Sequence, residues 1–238
     1  MALVGRIKAA WHRDLVRDPV VHGWVLNLYR MGERYPKTVC DYFPSRFAPT
    51  AELAGKLIRH REEEARHEAV FERALERLGQ PVVEFPAEDV FNHHVRASTP
   101  TSFAISEADA PAERRRKLAH FMAHAHFLES RIARSLRYHH EACLAEGRTD
   151  VARGVALVLR DEERHAGYTR EEVDALLPRA EAVAVLDEHR RAEARANLSF
   201  SSRQVRAYLA RYGDCAPRRR RLLYRLCALV MEGAASRV

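Results

Sequence analysis

The sequence predicts an all-α fold built around four long helices. Three observations carry that expectation. Strand signals are nearly absent, and apolar residues recur at helical spacing along almost the whole chain. Glycine and proline fall where helices would start or stop. The connections run short, long, short, which is the pattern of two antiparallel helix hairpins joined by one crossover.

The elements follow in order. A first helix is expected from Pro19 to Tyr35, with Pro36 kinking or ending it. "FPSRFAPT" reads as a loop, and Thr50 as the cap of a second helix that Gly79 stops after Leu78. Residues 79–110 carry Pro81, Pro86, Pro100 and a Ser/Thr cluster, so they read as an irregular crossover. Pro111 is a favoured first-turn residue and opens a third helix that runs to Glu146. "EGRTD" is a tight turn, with Gly147 closing one helix and Thr149 or Asp150 capping the fourth, which ends near Leu177. After Pro178 come helical segments broken near "NLSFSS" and again near "GDCAP".

Bulk composition narrows the class. The 238 residues are 47% hydrophobic and 31% charged, as expected of a soluble globular protein. No run of about 18 or more apolar residues suggests a spanning helix. The first residues, "MALVGRIKAAWHRDLVRDP", lack an apolar signal core, so a cytoplasmic, unexported protein is expected. Cys40, Cys143, Cys215 and Cys227 form no CxxC pair and read as reduced thiols rather than a disulfide frame or a zinc site. Residues 1–178 balance 27 Lys+Arg against 27 Asp+Glu, whereas residues 179–238 hold 13 Arg against 6 acids and supply the whole net charge of +7. The chain therefore divides into a neutral body, 1–178, and a basic helical C-terminal extension, 179–238.

The body carries a repeated motif. "REEEARHEAVF" places Glu64 and His67 three apart, and "RDEERHAGY" does the same with Glu162 and His165. On a helix that spacing puts a carboxylate and an imidazole on one face, so both can reach one metal ion. Each motif lies on the second helix of a hairpin. A metal pair then needs a carboxylate from each remaining helix. Glu33 continues the inward stripe Leu26, Tyr29, and Glu129 interrupts the stripe Leu118, Ala125, Ile132, Leu136. A lone acid on an apolar face is costly to bury unless it is paired or bound to metal. Glu33 precedes Glu64 by 31 residues and Glu129 precedes Glu162 by 33, so the halves read as a repeat.

Over residues 15–177 these motifs resemble the ferritin-like di-iron carboxylate superfamily. The resemblance implies a ferritin-like four-helix bundle with a long crossover between its second and third helices. It also implies a metal site made of Glu33, Glu64, His67, Glu129, Glu162 and His165. Glu64 or Glu162 would bridge the metals, and Asp161 and Glu63 would support the ligand histidines from outside. Four carboxylates and two imidazoles without a thiolate suit two iron ions, with manganese or a mixed Mn/Fe pair as alternatives. The implied activity is a non-haem di-iron oxidoreductase that uses dioxygen to oxidise or hydroxylate an organic substrate, a small molecule or a tRNA.

Other readings stay open at this point: a ferroxidase or iron-storage protein, a manganese-catalase-like protein, or a metal-free helical scaffold. A homodimer is among the open assembly states. His60 and His126, each one turn before a ligand acid, are expected as core histidines, with a metal role as the alternative. Tyr29 is expected to pack, with a redox role as the alternative. His93 and His94 either cover the site or lie exposed. "PRRRRLLYRLCALVM" forms a helix with Arg218, Arg221 and Arg225 on one side and Leu222, Leu223, Leu226, Leu229 and Val230 on the other. It either packs with a solvated basic face or meets an anionic partner, a nucleic acid or a membrane surface.

Overall fold

A computed structural model describes residues 3–39 and 42–237. It contains eight α-helices and, among the described residues, no strand: α1 Leu3–Arg17, α2 Pro19–Thr38, α3 Ala51–Arg77, α4 Phe91–Ser98, α5 Pro111–Ala145, α6 Thr149–Leu176, α7 Arg179–Tyr212 and α8 Arg218–Ala235. No described helix is long and apolar enough to cross a membrane. Cys40 lies outside the described residues, and Cys143, Cys215 and Cys227 are free thiols.

Local chemistry sets the helix ends. The Asp18 carboxylate accepts from the Val20 and Val21 amides at 2.9 and 3.1 Å, and Pro19 occupies the first turn of α2. Thr50 Oγ1 accepts from the Leu53 amide at 3.2 Å and caps α3. Gly79 and Gly147 take φ of 63° and 70° just past α3 and α5. In both, the following amide reaches back to a helix carbonyl, Gln80 to Leu75 at 2.9 Å and Arg148 to Cys143 at 2.8 Å. That left-handed ending suits glycine and turns each chain sharply into its next segment.

Four expectations need correction. Pro36 does not end the first helix, which runs on to Thr38. Proline lacks the N–H that would bond the Gly32 carbonyl. Asn92 Nδ2, from α4 in the crossover, donates to that carbonyl instead at 3.3 Å. "NLSFSS" does not break α7, because Ser202 spends its hydroxyl on α8, at 3.1 Å from the Ala228 carbonyl and 2.8 Å from Glu232. A serine bonded elsewhere no longer competes with its own helix backbone. Leu3–Arg17 form a helix, α1, where no helix is expected from the sequence. Finally, α8 turns Tyr224 and Ala228 inward and leaves Leu222, Leu226, Leu229 and Val230 exposed. Its orientation is fixed by polar contacts to the buried Asp14, from Arg220 and from the Tyr224 hydroxyl at 2.7 Å.

The body packs as two helix pairs, α2 on α3 and α5 on α6, with α3 also touching α6. One apolar cluster, around Leu26, Phe71, Leu75, Leu136 and Val155, joins α2, α3, α5 and α6. A second, around Phe43, Leu57, Leu118, Phe121 and Val173, includes Ala182 and Val185 of α7. A third joins Leu15, Trp24 and Val25 to Tyr208 and Tyr224, so the last two helices share a core with the first two.

Candidate metal centre

Between the two apolar clusters of the body lies a polar interior. Glu33 from α2, Glu64 and His67 from α3, Glu129 from α5, and Glu162 and His165 from α6 are all buried. One ligand atom from each of Glu33, Glu64, His67 and Glu162 lies within 4.8 Å of the others. His60, Glu64 and His165 form a second such group, so Glu64 belongs to both. Glu129 joins on the side of the second group, 3.6 Å from His60 Nε2.

The helices place these groups by simple periodicity. Glu64 and His67 are one turn apart on α3, and His67 Nδ1 stands 3.2 Å from Glu162 Oε1 and 3.4 Å from Glu33 Oε2. His165 Nδ1 stands 3.5 Å from Glu64 Oε1. The imidazoles are held from behind by acids of the opposite helix. His67 Nε2 pairs with Asp161 on α6 at 3.2 Å, and His165 Nε2 pairs with Glu63 on α3 at 2.7 Å. Such a bond fixes ring orientation and leaves Nδ1 facing the centre. Arg164 ties the two acids together, at 2.6 Å from Glu63 and 2.9 Å from Asp161.

Burial and mutual repulsion dominate the electrostatics. Burial and the neighbouring Glu64 push Glu33 up, and burial together with Glu129 and Glu64 pushes Glu162 well up. Glu129 moves the other way: burial opposes ionisation, but the adjacent Glu162 carboxyl and the His60 imidazole hold its carboxyl down. Burial also disfavours charge on His67, yet Glu33, Glu64 and Asp161 override it and raise the ring to about 9. These carboxylates and imidazoles cannot satisfy one another completely. The buried atoms His60 Nε2, Glu64 Oε1, His67 Nδ1, Glu129 Oε2, both Glu162 oxygens and His165 Nδ1 have no hydrogen-bond partner. Buried polar atoms are almost always bonded, and seven unbonded ones gathered at one point form a group that could hold a metal ion.

His60 lies inside this centre. Its ring stacks on His165 with centroids 3.6 Å apart, its Nε2 is 3.4 Å from Glu64, and its Nδ1 meets the Tyr168 hydroxyl at 2.8 Å. The spacing of His60 one turn before Glu64 was the available signal. Arg164 was not anticipated; the shared Arg-His ending of the two motifs was the only trace of it. His126 instead bonds the Ala166 carbonyl at 2.8 Å and lies outside the centre. Tyr29 packs against Phe71 and His139. In the crossover, His93 is exposed and His94 bonds the Glu88 carbonyl at 2.7 Å.

One wall of the centre is aromatic. Phe43 lies 4.7 Å from the His60 ring, Phe43 and Tyr42 both meet Phe121, and the partly buried Tyr42 phenol feels the charges of Glu129 and Glu64. Compared with protein-family models, curated proteins and solved structures, the chain matches none.

Proposed function

We propose that the chain is a ferritin-like four-helix-bundle oxidoreductase whose centre holds two iron ions and uses dioxygen to oxidise or hydroxylate an organic substrate. One observation carries this reading: buried carboxylates and imidazoles from α2, α3, α5 and α6 converge, and those from α3, α5 and α6 hold unbonded ligand atoms. The residues fit the metal pair. Glu33 and His67 would hold one ion, Glu129 and His165 the other, with Glu64 and Glu162 between them. Oxygen and imidazole donors without thiolate favour iron or manganese, and four carboxylates balance two divalent charges. When bound, the pair would supply a site for dioxygen reduction.

The rest of the reading concerns the chain's own side chains. Asp161 and Glu63 hold the imidazole Nε2–H groups and keep each Nδ1 lone pair directed inward. Tyr168 does the same for His60, leaving Nε2 toward Glu64 and Glu129. Tyr42, Phe43 and Phe121 exclude water from one side and offer an apolar surface to an organic substrate.

Anaerobic iron(II) titration with metal analysis tests the proposal. The expected result is two irons per chain, falling below one in His67→Ala and His165→Ala. Binding far below two in the intact chain, or binding indifferent to both substitutions, overturns it. A strong preference for manganese, or assembly into a large cage, would point instead to peroxide disproportionation or iron storage.

A further inference from the structure

At the other end of the α2–α5 contact the chain buries a different set of donors. His22 on α2 and His139 and Cys143 on α5 are each 0% exposed, and one ligand atom of each lies within 4.8 Å of the others. The two Nε2 atoms stand 3.1 Å apart, and the Cys143 sulfur is 3.8 Å from His22 Nε2. Bonds of about 2.0–2.1 Å to nitrogen and about 2.3 Å to sulfur, at trigonal to tetrahedral angles, separate such donors by roughly 3.3–3.8 Å. Both separations from His22 are already close to that spacing. His139 lies ten residues past Glu129 on the same helix, about 15 Å along its axis, so the two centres are separate.

A purely hydrogen-bonded account is incomplete. Two facing Nε2 atoms can share only one proton, and His22 Nδ1 is buried with no partner. The outer side of His139 is provided for, because its Nδ1 faces the Tyr29 hydroxyl at 3.5 Å. The charged group acting on His22 and Cys143 is Arg148, and His139 is flanked by His12 and His140, with no carboxylate among these neighbours.

That charge balance selects the ion. Thiolate and imidazole donors suit copper(I) or zinc. One thiolate cancels one positive charge, so a monovalent ion leaves the site neutral. A divalent ion would leave net positive charge in the core beside Arg148, which burial penalises heavily. We propose that His22, His139 and Cys143 form a three-coordinate site for a soft monovalent cation, copper(I). Binding breaks the Cys143 S–H bond, forms a sulfur–copper bond and passes one proton to solvent, with no change in oxidation state. Because all three donors are enclosed, the ion enters as the chain folds.

The full chain, with Cys40, Cys215 and Cys227 replaced by alanine, is refolded anaerobically with copper(I) and titrated against a chromogenic copper(I) chelator. One copper per chain is expected, held at least a hundredfold more weakly in Cys143→Ser and more weakly in His22→Gln. His67→Ala, which disables the carboxylate centre, should leave copper binding unchanged. X-ray absorption of the loaded chain should give one sulfur and two nitrogen neighbours, which keeps the proposal falsifiable if Cys143→Ser fails to fold. No retained copper, retention that survives Cys143→Ser in a folded chain, a different ligand shell, or one zinc held in preference to copper(I) overturns it.

Discussion

His67 and His189 are both almost fully enclosed, yet burial leaves them in opposite states. At the carboxylate centre, Glu33, Glu64 and Asp161 outweigh burial and raise His67 to about 9. At the seam between α5 and α7, burial, with His124 and His120 adding to it, pushes His189 down to about 3. His124 beside it drops to about 4 for the same first reason. The difference lies in the neighbours and not in the depth. Where α2, α3, α5 and α6 meet, acids surround the imidazoles and favour a positive charge among them. Where α5 meets α7, the rings stay neutral and a proton is the intruder.

The comparison can be broken in four ways, the largest effect first. Removing metal from the carboxylate centre should cost about 4 kcal/mol of stability when free metal had stood at roughly a thousand times its dissociation constant. Urea unfolding with and without a chelator measures it, and no change would mean that the acids satisfy one another. Glu162→Gln should act with opposite signs in the two states. In the metal-free chain it relieves two unbonded buried oxygens and leaves stability unchanged or raises it by about 1–3 kcal/mol, whereas the metal-loaded chain loses stability. Denaturant midpoints of both forms decide the matter.

Asp161→Asn keeps the shape but weakens the hold on His67, and should lower metal affinity by about ten- to a hundredfold without unfolding the chain. The smallest effect belongs to the α5–α7 seam. His124 and His189 have folded values below the ordinary histidine value, so the unfolded chain binds more protons as pH falls. Their contribution is complete above pH ~6.5 and is lost as pH falls toward their folded values, by about 1 kcal/mol for each ring at pH 6. His189→Gln should flatten that acid slope in denaturation curves taken between pH 7 and pH 6.

Much of this was legible in the sequence, for physical reasons. Thr50, Gly79, Pro111 and Gly147 act through backbone geometry that is local, so the expected helix ends fall within about two residues of α3, α5 and α6. Glu33 and Glu129 stood out because an acid on an apolar stripe has few bland explanations. The misreadings share one cause, a partner distant in sequence. Pro36 is tolerated because Asn92 takes the Gly32 carbonyl, and Ser202 is tolerated because α8 takes its hydroxyl. The leucine side of α8 faces outward because Asp14, some two hundred residues earlier, claims Arg220 and Tyr224. The same blindness hid the His22–His139–Cys143 trio. Cysteine spacing argued against a zinc site, and although His139 stands one turn before Cys143 on α5, the second imidazole, His22, lies on another helix.

The crossed acids behind the two imidazoles also fix how the hairpins mate. Asp161 on α6 reaches His67 on α3, while Glu63 on α3 reaches His165 on α6. Sliding one rod past the other by a single turn, about 5.4 Å, would undo both contacts together. The pair therefore works as a keyed joint with one seating, and drift in the aromatic wall around Tyr42 and Phe43 can reshape what enters without disturbing the alignment beneath it.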